Sequence, residues 1–201
     1  MKYRFRLISS LVLIAVSALA YLPLINQIGY SHDDWYLMAI AQTDGPQVFH
    51  EIFSVDRPLR AFVMIPAYRL FGSNPLYYHI SAFVFRVAGA LALLWILQML
   101  WPRDPITTTL MSLLFLIYPG FLSQPNAIDY QSHIIGLAAA LLSIALTIKA
   151  ILSESRVLKI LLHASSIFLG WFYLGQMEWY IGIEFFRWIC VFLMSSLSQG
   201  T

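Results

Sequence analysis

Polar residues nearly vanish over long stretches of this chain, and such stretches recur. From Leu7 to Ile28 the sequence runs 22 residues without a charge, long enough to cross the ~30 Å of hydrocarbon in a bilayer. Five further apolar segments follow: Ile80–Trp101, Ile106–Leu122, Ile134–Leu152, Val157–Met177 and Tyr180–Leu197. The third is short and ends at Tyr118-Pro119-Gly120. A single spanning segment satisfies its own backbone hydrogen bonds only as a helix. The pattern therefore predicts an all-α polytopic membrane protein with about six transmembrane helices, organised as a single domain over residues 1–201.

The longest interruption, Gly29 to His79, covers 51 residues and is too aromatic for a disordered linker. Ser31-His32-Asp33-Asp34 has the S-x-x-D form of a helix start, with Ser31 capping and Asp34 three residues on. A helix from there to Ala41 places Tyr36, Leu37, Ile40 and Ala41 on one apolar stripe, suited to lying along the membrane surface. Thr43–Gln47 ("TDGPQ") is turn chemistry. Asp56-Arg57-Pro58 starts a second surface helix and Phe71-Gly72 stops it, after which Asn74-Pro75 opens the helix that runs into the second span.

Charge fixes an orientation. Lys2, Arg4, Arg6, Arg103, Lys149, Arg156 and Lys159 fall on one side of a six-span chain, which the positive-inside rule makes cytoplasmic. Both termini are then cytoplasmic, in a cytoplasmic (inner) membrane, and the 29–79 loop is outside. Ala18-Leu19-Ala20 imitates a signal-peptidase site, but the length of the apolar run favours a retained first helix. The chain is 60% hydrophobic and 11% charged, with no basic tract and a net charge of +2 that is too small to suggest a nucleic-acid partner; none is expected. Cys190, the only cysteine, rules out a disulfide within the chain.

Several ionisable residues stand out against this background. Asp34 is explained by the helix start, through the cap and the helix dipole. Asp33 has no specific structural task, and a free carboxylate there is placed to take a proton from a substrate hydroxyl. Arg57, Arg60 and Arg69 lie on the outer side against the charge rule, which suggests an anionic partner. Arg86 lies inside the second span on one face with His79 and Phe83, and an arginine so placed usually faces the bundle interior; snorkelling is the alternative. Asp129 and His133, four apart, are expected to be hydrogen-bonded neighbours at a cavity rim shared with His79 and Glu178. One carboxylate and one imidazole are too few for a metal site. Glu184 and Arg187 are expected to pair internally, and His163 to be an interfacial histidine.

Taken together, "HDDWY", "DRPLRAFVMIPAYRLFGSNPLYYH", "YPGFLSQPNAIDYQSH" and "MEWYIGIEFFR" give a chain that resembles the GT-C class of integral-membrane glycosyltransferases, which includes protein O-mannosyltransferases and bacterial lipid A aminoarabinose transferases. Each motif is short; their order and spacing cover nearly the whole chain. The resemblance implies inverting transfer of a sugar from a polyprenyl-phosphate donor to an acceptor hydroxyl on a lipid or cell-envelope molecule. It implies Asp33 as base with Asp34 as the second acid. Arg57, Arg60 and Arg86 would hold the donor phosphate, since guanidinium matches phosphate oxygens bidentately. No cofactor is expected, with a divalent metal left open. Such enzymes usually continue for several more spans, so the chain corresponds to an N-terminal half and a truncated copy is one expectation. The rival expectation is a non-catalytic membrane scaffold, assembly subunit or transporter fragment.

Overall fold

The computed structural model describes residues 2–118 and 126–199, and every regular element among them is helical. In chain order these are α1 (Lys2–Tyr21), α2 (Asp33–Thr43), α3 (Val48–Phe53), α4 (Ala61–Phe71), α5 (Pro75–Leu100), α6 (Pro105–Leu116), α7 (Gln131–Ile151), α8 (Arg156–Gln176) and α9 (Ile181–Gln199). Short 3₁₀ turns at Ile25–Gln27 and Glu178–Tyr180 link them. Four stretches are long and apolar enough to cross a membrane: Arg4–Gln27, Pro75–Leu100, Gln131–Ile151 and Arg156–Gln176. Among the described residues these four meet that test, and the expected spans at α6 and α9 do not. α6 has 12 residues, about 18 Å by helical rise, and the expected end of that segment, residues 119–122, lies outside the described residues. α9 carries Glu184 and Arg187 and is not among the four.

Local chemistry sets most helix ends. Asn74 caps α5 by accepting from Leu76 N at 3.1 Å, with Pro75 at the first helical position. Asp104 does the same for α6 through Thr107 N at 3.2 Å, and Ser155 for α8 through Leu158 N at 3.4 Å. Gly72 ends α4 at φ 58°, a conformation glycine adopts without a Cβ penalty. α1 stops at Tyr21 rather than Ile28, because Pro23 cannot continue a helix. The second loop helix begins at Ala61, later than the Asp56-Arg57-Pro58 signal, and the short α3 precedes it.

α7 is the central helix, packed against α5 and α8. Gly89 of α5 lies 3.5 Å (from its would-be Cβ) from the Ala138 backbone, the close approach that small residues permit between apolar helices. α1 and α6 run together along the far side of α5, tied by Thr109 to Ser9 at 2.8 Å and by Tyr21 to the Leu116 carbonyl at 2.7 Å, with Leu13, Ala90 and Leu94 between. The loop helices form a packed cap: Leu37, Met38, Phe49, Phe53, Met64 and Tyr78 are buried together there. That cap is the platform for the candidate site. On α2 the buried face is Asp34, Leu37, Met38 and Ala41, so the expected stripe is corrected at Tyr36, which is exposed while Met38 turns inward.

Candidate functional site

The two aspartates at the start of α2 have opposite surroundings. Asp34 is 1% exposed. Its Oδ1 accepts from Ile128 N at 3.1 Å and Asp129 N at 2.8 Å, and its Oδ2 accepts from Ser31 N at 3.3 Å. With its amide nitrogen turned inward, Asn126 also donates to Asp34 Oδ1 at 2.5 Å and to the Ser31 carbonyl at 3.1 Å, whereas the reverse orientation would set oxygen against oxygen. Asp34 thus joins the first loop to a turn more than 90 residues later. Burial raises its pKa to about 6, against the opposing pull of the hydrogen bonds from Asp129, Ser31 and Ile128. Asp33 is exposed and makes no hydrogen bond or ion pair among the described residues.

The cap itself differs from expectation. Ser31 does not cap through its hydroxyl. The residue before α2 is His32 at φ 47°, ψ −119°, the one non-glycine positive φ among the described residues. Only the return half of the capping box forms, Asp34 accepting from Ser31 N. Backbone strain of this kind costs on the order of 1–3 kcal/mol and concentrates at functional sites.

Arg60, 1% exposed, reaches the same turn from the start of α4. Its Nη2 donates to the Asp129 carbonyl at 2.7 Å and to the Asp129 carboxylate, and the guanidinium lies over Phe53 at 4.3 Å. Burial pushes Arg60 below its ordinary pKa while Asp129 opposes the shift. Arg60 takes the Asp129 carboxylate, so the expected Asp129–His133 contact runs to the Asp129 backbone rather than to its carboxylate. His133 also stacks on Tyr130 at 4.4 Å and faces Trp179 at 5.6 Å, and its backbone carbonyl accepts from the Tyr180 hydroxyl. Arg57 Nε lies 3.5 Å from Asp56 and 3.6 Å from Glu178, with the guanidinium 5.9 Å from the Trp179 ring. The loop closes onto α8 where Leu59 N donates to the Gly175 carbonyl and Gln176 donates to the Leu59 carbonyl at 2.8 Å.

The fold therefore gathers Asp34, Arg57, Arg60, Asp129, His133 and Glu178 at one end of the bundle, with Asp33 at its edge. His79 and Arg86 lie apart. His79 Nε2 is 3.1 Å from the Gly29 carbonyl, where it fastens the loop entrance. Arg86 is buried rather than snorkelling; its Nη1 donates to the Tyr21 hydroxyl at 3.2 Å and its guanidinium sits over that ring at 4.7 Å. Among the described residues no three His, Cys, Asp or Glu side chains are grouped as metal ligands.

Two features escaped sequence reasoning. The first is the role of Asn126, which lies within one of the quoted motifs but was given no task of its own. The second is the company of Arg187: it pairs with Glu184 at 2.8 and 3.1 Å as expected, and also reaches Thr147 at 2.6 Å, Ser143 at 2.8 Å, Ser166 at 3.0 Å and Tyr173 at 3.2 Å. The visible signal was hydroxyls at four-residue spacing, Ser143 and Thr147, inside an apolar helix. A third observation concerns the first site again. Of eight buried side-chain polar atoms without a hydrogen-bond partner among the described residues, six belong to Arg57, Arg60, Gln131, Ser132, His133 and Gln176. Buried polar groups of this kind are usually met by ordered water.

No family model matches the chain, no curated protein is detectably similar in sequence, and no solved structure is similar in fold.

Proposed function

We propose that this protein is a GT-C-like glycosyltransferase acting at the outer face of a membrane, on a polyprenyl-phosphate sugar and a lipid or cell-envelope acceptor. The observation that carries the reading is the division between the aspartates: Asp34 is consumed by backbone donors, while Asp33, one residue away, is exposed and unpaired among the described residues. Asp33 accepts the proton of the acceptor hydroxyl. The resulting oxygen attacks the anomeric carbon opposite the phosphate, the bond from that carbon to the phosphate oxygen breaks, and polyprenyl phosphate leaves. Arg57, more open than Arg60, meets the phosphate by exchanging Asp56 and Glu178 for it. Arg60 supports the site indirectly by holding Asp129.

A second reading, a non-catalytic scaffold, draws on one observation. Arg57 and Arg60 are both already paired with carboxylates, which is what a structural clasp requires. Transfer from a labelled polyprenyl-phosphate sugar in membranes separates the two. Asp33→Asn should lower the rate ~10²–10⁴-fold, the usual contribution of a general base, without changing thermal stability. Normal transfer by Asp33→Asn removes the enzyme reading's chemical centre.

A further inference from the structure

The loop helix α4 has apolar residues on both of its faces. Ala61, Met64, Ile65 and Ala67 are buried in the core of the cap, while Phe62, Pro66, Arg69 and Leu70 stand exposed opposite them. The spacing of the exposed four puts them on one stripe, with Arg69 its single charge. Phe62 is 61% exposed and Leu70 78%. A helix without a polar face belongs inside a protein or against lipid. At 11 residues, ~16 Å by helical rise, α4 is about half as long as a crossing requires. Its outward face suits the boundary of a bilayer rather than its middle.

The start of α5 shows where that boundary lies. Tyr77, Ile80, Val84 and Ala88 follow one another at three- and four-residue steps and all are exposed, which on a spanning helix is the face that lipid covers. This stripe runs up to Tyr77, a residue type enriched at the level of the headgroups. The Tyr77 ring lies 6.0 Å from the ring of Phe71, the residue after Leu70. The end of α4 that carries Arg69 and Leu70 therefore adjoins the lipid-facing stripe of α5.

Charge then selects the lipid. Of the three loop arginines that lie outside against the charge rule, Arg57 and Arg60 are paired with carboxylates. Arg69 is exposed and makes no ion pair or hydrogen bond among the described residues. It stands ~14 Å along α4 from Arg60 by helical rise, away from the site around Asp129. An apolar protein partner over this stripe would strand a buried guanidinium, which is strongly unfavourable. A bilayer boundary strands nothing, because a long basic side chain lies along apolar neighbours and reaches the phosphates.

We propose that the outward face of α4 is seated in the headgroup boundary of the loop-side leaflet, with Leu70 among the acyl chains and Arg69 on the phosphate of an anionic phospholipid. The inference needs a membrane but not sugar transfer. The test uses the whole chain in vesicles of phosphatidylcholine and phosphatidylglycerol, with a nitroxide on one introduced cysteine at a time. Leu70→Cys is the test position, Val84→Cys the lipid reference, and Asp44→Cys, at an exposed charged residue, the water reference. Cys190 is fully buried and stays in place, with the unsubstituted chain as the blank. Collision with oxygen, which concentrates in lipid, is compared with collision with a water-soluble nickel chelate. The oxygen-to-nickel ratio at position 70 should exceed that at position 44 by roughly threefold or more, as an apolar face ~5–10 Å deep requires. Equal ratios at 70 and 44 put the stripe in water, and little collision with either reagent puts it under protein; both overturn the proposal. Equal ratios at 84 and 44 overturn the membrane reading as well. For the arginine, each phospholipid in turn carries a photoactivatable diazirine high in its acyl chain, and adducts on residues 61–71 are mapped by mass spectrometry. At equal mole fraction phosphatidylglycerol should label about fivefold more than phosphatidylcholine, the preference one basic side chain gives at an anionic surface. Arg69→Gln should abolish the preference and Arg69→Lys should keep it. Equal labelling of the unaltered chain, or a preference that survives Arg69→Gln, overturns the assignment to Arg69.

Discussion

Replacing Asp34 isolates what a buried carboxylate does at the root of the first loop. Its pKa lies at about 6 in the fold against 3.8 as the ordinary value. At pH 7.5, where the group is ionised in both states, the difference disfavours the fold by ~3 kcal/mol. The sign is unusual for an acid: between the two pKa values the folded chain holds more protons, so stability falls as pH rises through that window. Between pH 7.5 and 5 roughly half of that amount, ~1.4 kcal/mol, should return. For a chain of this length that is an apparent Tm about 3–6 °C higher at pH 5 from this group alone. Asp34→Asn removes the charge and its burial cost, but sets one amide N–H against the Ser31 N–H, at ~1–3 kcal/mol. Its stability at pH 7.5 should therefore be close to that of the unaltered protein, and its pH slope shallower. Asp34→Ala leaves Ile128 N, Asp129 N, Ser31 N and the Asn126 amide without their acceptor, costing ~4–12 kcal/mol at ~1–3 kcal/mol each, of which the ~3 kcal/mol burial cost removed with the charge offsets only part. Thermal unfolding in detergent across pH 5–8, followed by circular dichroism, measures all three, with Asp33→Asn as the control that keeps the unaltered slope. Identical slopes for the unaltered protein and Asp34→Asn, or an Asp34→Ala protein as stable as either, would refute the reasoning.

Three further outcomes are expected. Topology reporters fused at Gln47 and Arg103 should score outside and inside respectively, from the distribution of lysine and arginine; the reverse result inverts the orientation and moves Asp33 to the cytoplasm. Gly136→Ala should destabilise by ~1–3 kcal/mol, because its Cβ would lie 2.6 Å from a Tyr180 ring carbon held in place by the hydroxyl's bond to the His133 carbonyl; Tyr180→Leu in the same chain should recover most of the loss in a thermal melt. Arg187→Leu should cost ~3–5 kcal/mol by stranding Glu184, and Arg187→Leu with Glu184→Leu should recover a large share, read by denaturant titration in detergent.

What could be read from the sequence was local. Asn74-Pro75 and Phe71-Gly72 set their helix ends through neighbours a few residues away, and the apolar runs around α5, α7 and α8 announce themselves by length alone. The Glu184–Arg187 pair is likewise an i, i+3 contact. What could not be read depends on distance along the chain. Asp34 meets Ile128 and Asp129 only after four helices have been laid down, and no spacing rule connects them. For Arg60 a phosphate contact is what the resemblance implies, whereas its carboxylate partner lies 69 residues on. The strained His32 is harder still, since S-x-x-D favours an ordinary cap and the packing of Asp34 against the 126–129 turn overrides it. The buried face of α2 differs by one position, with Asp34 turned inward onto the 126–129 turn and Met38 on the same face.

The surroundings of Arg187 also bear on the order in which the protein is made. In a bilayer each charge at the centre of a lone helix costs ~2.5–3.5 kcal/mol on insertion scales, so α9 with Glu184 and Arg187 is a poor candidate to settle by itself. The hydroxyls that receive the guanidinium sit on α7 and α8, which leave the ribosome first and are joined by a connection of only a few residues. Were α9 to enter a bilayer, the α7–α8 hairpin would supply the partners for its charges that lipid does not. A lesion at Ser143 or Ser166 would then appear first as a protein that matures slowly and is cleared by quality control, with the finished molecules nearly normal.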